Sequence, residues 1–325
     1  RAYHAFNQLM REAARRRPRL AILIDSPSLN MRLAKRLKRL GIPVLYFVSP
    51  QIWAWKKWRL RQLTALVDRM VCIFDFEPEI YLRVGVPAEY CGHPLVDMVA
   101  PSLSRDEFFA KARLDPALPV VALLPGSREV EIRYILPTLL QAARRISGQR
   151  RVQFVLPVAP GIEKRRIETY FQQGSLGALE IRVLDHATYD ALAWSTLAVV
   201  ASGTATVEAA LLGRPMVVVY RVSPMTAFLA RRMVDINFFS MVNILAGKKV
   251  VEELIQNDFT APRLAAEVTR LLDDSQAQTA MIEELKAVTT HLGKGGAIQR
   301  LADTVMKMVE EPAPSHTGSA ASGRG

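Results

Sequence analysis

Runs of consecutive apolar residues recur along the chain, separated by stretches in which apolar positions return every three or four residues. The runs are LAILID (20–25), PVLYFV (43–48), RMVCIF (69–74), VVALLP (120–125), VQFVLPV (152–158), IRVL (181–184), LAVVA (197–201) and PMVVVY (215–220). Helical spacing fills 30–40, 55–66, 129–147, 162–173 and 204–212. Strands that are apolar without alternation are buried on both faces, so the pattern predicts an α/β fold of parallel sheets covered by helices. The alternation pauses at CGHPLVDMVAPSLSRDEF (91–108), where proline, serine and charge replace periodicity. A boundary near residue 98 follows, giving two Rossmann-like domains over 1–98 and 99–309. Helices dominate after 249, and 310–325 has the composition of a disordered tail. In such folds ligands sit beyond the carboxyl ends of the strands, here in an interdomain crevice.

Composition narrows the partners. The 325 residues carry 43 Lys+Arg against 31 Asp+Glu, a net charge of +12 that favours polyanions: nucleic acid, anionic lipid or phosphorylated substrates. No recognised nucleic-acid motif organises these cations, so nucleic acid is not expected as a partner. Mean hydropathy is +0.10, yet no run of about 18 uncharged apolar residues exists to span a bilayer. The chain starts on Arg1 without a secretory signal, which predicts a fragment or processed form lacking its true start. Cys72 and Cys91 lie in apolar runs without a CxxC pair, as reduced core thiols do.

Three of the four tryptophans crowd into SPQIWAWKKWRLR (49–61). A core accepts Trp53, Trp55 and Trp58 but not Lys56, Lys57 and Arg59, and a solvated face does the reverse. The stretch therefore predicts contact with something amphipathic, with Trp55, Lys56, Arg59 and Leu63 on one helical face. The alternative is a tryptophan in the core with the cations snorkelling outward.

Three loops after strands can carry chemistry. In LLPGSREVE (123–131) a strand ends and Gly126, Ser127 and Arg128 lead into a helix, where backbone N–H groups, the helix dipole and a guanidinium suit a phosphate. A Ser127 N-cap with a solvated Arg128 is the plainer alternative. In VVASGTATVE (199–208) the turn Ser202-Gly203-Thr204 opens a second helix. Glu208 lies one turn on, where a carboxylate can accept the hydroxyls of a ribose. Thr204 as N-cap and Glu208 as an ordinary helix residue remain open. In LIDSPSLN (23–30) Asp25 ends a strand and can serve as general base on a substrate hydroxyl, or simply form the turn before Pro27. Asn30 is a candidate cap for the helix that follows. His93 ends a strand at the domain junction. No HExxH, paired Cys/His set or acidic cluster has metal spacing, so no metal or other cofactor is expected.

The segments YFVSPQIWAWKKWR, CGHPLVD, LLPGSREVEI, ASGTATVEAALLGRPMVVVYR and SMVNILAGKKVVEELIQ together resemble the lipid-A-disaccharide synthases, in the same order and spacing over most of 20–309. The resemblance implies the glycosyltransferase-B architecture. It implies metal-free, inverting transfer of 2,3-diacylglucosamine from UDP-2,3-diacylglucosamine to 2,3-diacylglucosamine 1-phosphate, a step of lipid A biosynthesis in Gram-negative bacteria. By position it makes Gly126, Ser127, Arg128, Ser202, Gly203 and Thr204 donor contacts, Glu208 the ribose carboxylate, Asn243 a residue near the donor, and Asp25 the acceptor base. It also makes the Trp/Lys/Arg stretch a contact with acyl chains and an anionic membrane surface, at the cytoplasmic face of the inner membrane, and leaves room for a homo-oligomer. Two departures stand out: Ser28 and Leu29 replace an acidic and an aromatic residue, and the family's glycine-rich first loop does not precede Arg1. A donor-binding but catalytically impaired fragment, or another UDP-N-acetylglucosamine-dependent transferase of the same fold, are the alternatives.

Overall fold

A computed structural model describes residues 2–50, 60–173, 179–223 and 238–310. Trp53, Trp55, Lys56, Lys57, Trp58 and Arg59 lie outside the described residues, as does the predicted tail beyond Glu310. The chain divides into two compact units: one runs to Pro94 and takes the chain up again from Gly295, and the other is Leu95–Lys294.

The first unit holds a four-stranded parallel sheet in the order β1-β2-β3-β4, formed by Ala21–Ile24, Val44–Phe47, Arg69–Cys72 and Ala88–Tyr90. The inner strand β2 is buried along its whole length, whereas the edge strand β1 leaves Ile22 and Ile24 exposed. Val44, Tyr46, Met70, Cys72 and Tyr81 are fully enclosed in its core. Leu63 belongs to the same core, which takes it off the lipid-facing stripe that helical spacing assigned to it. Both cysteines are buried and unbridged. Desolvation raises their thiol pKa values, that of Cys91 to about 11, so neither is a ready nucleophile. His93 is buried with its ring 5.4 Å from that of Phe74. Burial lowers its pKa to about 4, so the imidazole is neutral at pH 7 and packs as a core group.

The closing helix Ala297–Glu310 belongs to this first unit, where Arg300 Nε donates to the Cys91 carbonyl at 2.7 Å. The sequence-based division gave that helix to the second domain. Its amphipathic pattern says that it packs, but not against which sheet.

The second unit carries six parallel strands in the order β10-β9-β8-β5-β6-β7. They are β5 Val120–Leu124, β6 Gln153–Val158, β7 Ile181–Asp185, β8 Leu197–Ala201, β9 Met216–Tyr220 and β10 Glu252–Ile255. Strands β5 and β8 are buried at every residue, as strands covered by helices on both faces must be. Helix Glu129–Ser147 buries Ile132, Ile135, Leu136, Leu139 and Ile146, the stripe expected of a helix with one face on a sheet. From β5 the chain winds outward through β6 and β7, then returns to place β8 on the other side of β5. The order reverses between β5 and β8, and the loops that leave these two neighbours are 126–128 and 202–204. A switch point of this kind leaves a crevice beyond the strand ends where ligands bind.

Candidate active site

Beyond the carboxyl ends of β5 and β8, within the second unit, opens a pocket of about 550 Å³. Gly126, Ser127, Arg128, Ser202, Gly203, Thr204 and Glu208 all line it, so two loops separated by more than seventy positions meet at one place. The wall is completed by residues that sequence reasoning passed over, among them Ser102, Glu131, His186 and Tyr189.

The first loop differs from expectation. The N-cap of helix Glu129–Ser147 is Arg128 rather than Ser127. Glu131 reaches back so that its Oε2 accepts from the N–H of Ser127 at 2.9 Å and of Arg128 at 3.2 Å. Its Oε1 accepts from the Arg128 guanidinium at 3.1 Å. The amides that a phosphate was expected to use are thus occupied by a carboxylate of the same chain, a capping-box contact. Gly126 makes this fit: its φ is +113°, and a Cβ there would stand 2.5 Å from Glu131 Oε2. The Arg128 side chain remains 78% exposed at the pocket, free to turn its remaining donors toward an anion.

The second loop keeps its amides open. Ser202 N–H donates to the Val219 carbonyl and Thr206 N–H to that of Gly203. Among the described residues, no acceptor is paired with the N–H groups of Gly203, Thr204 or Ala205. These face the start of helix Thr204–Leu211, where the dipole favours negative charge. Ser202 Oγ donates to the Phe239 carbonyl at 3.0 Å, which ties the turn to a distant segment. On the next turn of the helix Glu208 is half-buried and lines the pocket with Tyr189, whose hydroxyl acts on its carboxylate. Burial raises the Glu208 carboxyl pKa and the Tyr189 contact works against that rise. In the pocket wall, buried Asp190 accepts from Ser102 N at 2.7 Å, Leu103 N at 2.9 Å and Ser102 Oγ at 2.7 Å, which fixes the wall at Ser102.

Asn243 does not line this pocket. Its side chain is buried, with Nδ2 donating to the Val251 carbonyl and to Glu253, and Oδ1 accepting from the N–H groups of Val250 and Val251. Every function of the amide is used to hold the turn before β10, so its relation to the pocket is indirect.

Asp25 stands in the first unit, immediately beyond β1. It is exposed, and it and Ser26 are consecutive non-glycine residues with positive φ, +49° and +42°. Such pairs cost on the order of 1–3 kcal/mol per residue and persist only where the surroundings enforce them. Here the enforcement is visible. The Asp25 carbonyl accepts from Asn30 Nδ2 and from the Tyr46 hydroxyl, each at 2.6 Å, and its N–H donates to the Phe47 carbonyl. Asn30 therefore lies inside helix Pro27–Arg39 and braces the loop from below; the N-cap is Ser26, without a side-chain cap bond. The backbone is clamped while the exposed carboxylate has no partner among the described residues. Among the described residues, no group of three or more His, Cys, Asp or Glu side chains is placed to hold a metal ion.

Two α/β units with parallel sheets, the second with a switch-point pocket that brings a turn with open amides beside a helix-borne carboxylate, define the glycosyltransferase-B fold. Solved structures agree on the fold: a Staphylococcus aureus protein described as MnaA in a co-structure with UDP superposes with a TM-score of 0.66 at 12% identity, over 96% of this chain and 82% of that one. The UDP-GlcNAc 2-epimerase of Neisseria meningitidis gives 0.63 at 13% identity, over 94% and 81%. The chain belongs to the lipid-A-disaccharide synthetase family, whose profile matches residues 1–304. The lipid-A-disaccharide synthase of Solibacter usitatus is 44% identical over 311 residues, 95% of this chain and 80% of the relative. That of Myxococcus xanthus is 44% identical over 302 residues, 93% and 78%.

Proposed function

We propose that this chain is an inverting hexosyltransferase that moves 2,3-diacylglucosamine from UDP-2,3-diacylglucosamine to 2,3-diacylglucosamine 1-phosphate, releasing UDP. The observation that carries the reading is the switch-point pocket, where Arg128, the turn 202–204 and Glu208 converge in a chain of this family. Donor recognition divides as follows. The open amides of Gly203, Thr204 and Ala205 and the Arg128 guanidinium take the diphosphate, with Ser127 adding a hydroxyl. Glu208 accepts from the two ribose hydroxyls. Charge accumulates on the departing UDP as the glycosidic bond lengthens, and oriented amides with a nearby guanidinium stabilise it. Asp25 takes the proton from the acceptor's attacking hydroxyl, so that attack from the face opposite UDP inverts the anomeric centre.

Both substrates carry acyl chains, which places the work at a membrane. No helix among the described residues is long and apolar enough to cross one. Association at the cytoplasmic face through Trp53, Trp55 and Trp58, with Lys56, Lys57 and Arg59 on anionic headgroups, fits the residue chemistry of that stretch and the net charge of +12.

UDP binding measured by calorimetry between pH 5 and 8 tests the donor half. Glu208→Ala is expected to weaken UDP by roughly tenfold to a hundredfold, the worth of hydrogen bonds to a charged group. Because the ionised carboxylate is the form that accepts from ribose, and burial raises its pKa, wild-type affinity falls as pH is lowered, beginning above the range of an exposed glutamate. Tyr189→Phe removes a contact that favours the ionised form and moves that decline to higher pH. Undiminished UDP binding in Glu208→Ala would take the ribose from this residue. Saturation and turnover with unacylated UDP-N-acetylglucosamine would instead identify a different transferase of the same fold.

A further inference from the structure

Phe239 and Ser240 sit between the donor turn and the edge of the second sheet, and one carboxylate organises them. Glu253, on β10, accepts at Oε2 from the Phe239 N–H at 2.9 Å. At Oε1 it accepts from the Ser240 N–H at 2.9 Å, the Ser240 hydroxyl at 2.7 Å and Asn243 Nδ2 at 2.8 Å. Four donors converge on one side chain, two of them backbone amides of consecutive residues, and Ser240 and Asn243 are themselves fully buried. With its amide held from this side, Phe239 presents its carbonyl to the Ser202 hydroxyl at 3.0 Å. Ser202 opens the turn whose free amides face the pocket. A continuous line of hydrogen bonds thus runs from an edge-strand glutamate to the donor turn, although Glu253 does not line the pocket.

We infer that Glu253 is a positioning residue for the donor site: it sets the backbone of Phe239 and Ser240 so that Phe239 anchors Ser202 and holds the turn 202–204 ready for the diphosphate. The inference rests on the donor-site reading above and adds a residue that touches neither substrate. Charge is needed as well as shape. Both carboxylate oxygens accept here, and an amide at the same place would turn an NH₂ toward either the Phe239 N–H or the three donors at Oε1, leaving a donor unmet. Asn243 belongs to the same device, since its amide both steers Glu253 and closes the turn before β10.

A double-mutant cycle on UDP affinity separates positioning from general support. Glu253→Gln is expected to weaken UDP roughly five- to tenfold and Ser202→Ala roughly two- to fivefold, the scale of one or two hydrogen bonds. Because Glu253 acts through the anchor of Ser202, the double variant should bind no more weakly than the weaker-binding single variant. Ser240→Ala removes one of the four donors and keeps the backbone contacts; it should show a smaller effect of the same sign, again absent in the Ser202→Ala background. It serves if Glu253→Gln does not fold. Additive losses in a protein whose wild type binds UDP would overturn the inference alone. A wild type that does not bind UDP would remove the donor-site reading, and this inference with it.

Discussion

Asp25→Asn is expected to lower the rate of disaccharide formation by about two to four orders of magnitude, the range associated with loss of a positioned general base. UDP affinity should stay within about twofold of wild type. The substitution is close to isosteric, and asparagine tolerates the left-handed backbone conformation that position 25 adopts. The clamps from Asn30 and Tyr46 grip the backbone carbonyl rather than the side chain. What changes is the ability to take a proton. Parallel measurement of turnover and UDP binding separates the outcomes: unchanged turnover removes Asp25 from the mechanism, whereas equal losses in turnover and UDP binding would mean that the variant has disturbed the fold.

Gly126→Ala is expected to cost about 2–4 kcal/mol in stability and at least tenfold in UDP affinity. The backbone at φ +113° admits glycine readily and alanine only under strain. The added carbon would also meet Glu131 Cβ at 2.6 Å as well as its carboxylate. The carboxylate is the end of a flexible side chain and can move; the Cβ is fixed to the first turn of a helix and cannot. Either the loop shifts or the capping box opens, and a lost cap adds about 1 kcal/mol to the strain. Thermal unfolding and UDP calorimetry read the two effects. An alanine variant with wild-type melting and affinity would show that the loop 126–128 has more freedom than its contacts with Glu131 allow.

The core strands were legible because both of their faces are buried, which leaves uninterrupted apolar runs such as VVALL and LAVVA. Strands β4 and β10 were not, and the reason is the same physics in reverse. Ala88–Tyr90 is short and half-exposed, and Glu252–Ile255 begins with two glutamates at a sheet edge, one of which does its work sideways on Phe239 and Ser240. Strand, small-residue turn and helix marked both donor loops, but only the strand order brings them side by side. Competition for the amides was invisible: Glu131 reads as an ordinary helix residue until Gly126 is seen to make room for its carboxylate. The strained backbone at Asp25 and Ser26 had no glycine to announce it, since the conformation is imposed by Asn30 and Tyr46. Asn243 was drawn to the donor by family position, while its hydrogen bonds tie it to Glu253 and the turn before β10, away from the pocket wall.

Transfer of the diacylglucosamine unit is read out by product formation. The protein would be mixed, without added metal, with UDP-2,3-diacylglucosamine and 2,3-diacylglucosamine 1-phosphate in detergent micelles, and disaccharide phosphate and UDP followed together by mass spectrometry. The two products are expected in equal amounts, with a β-linked disaccharide. Binding of UDP with no disaccharide at saturating substrates, or UDP released with free diacylglucosamine as its only counterpart, would contradict that transfer.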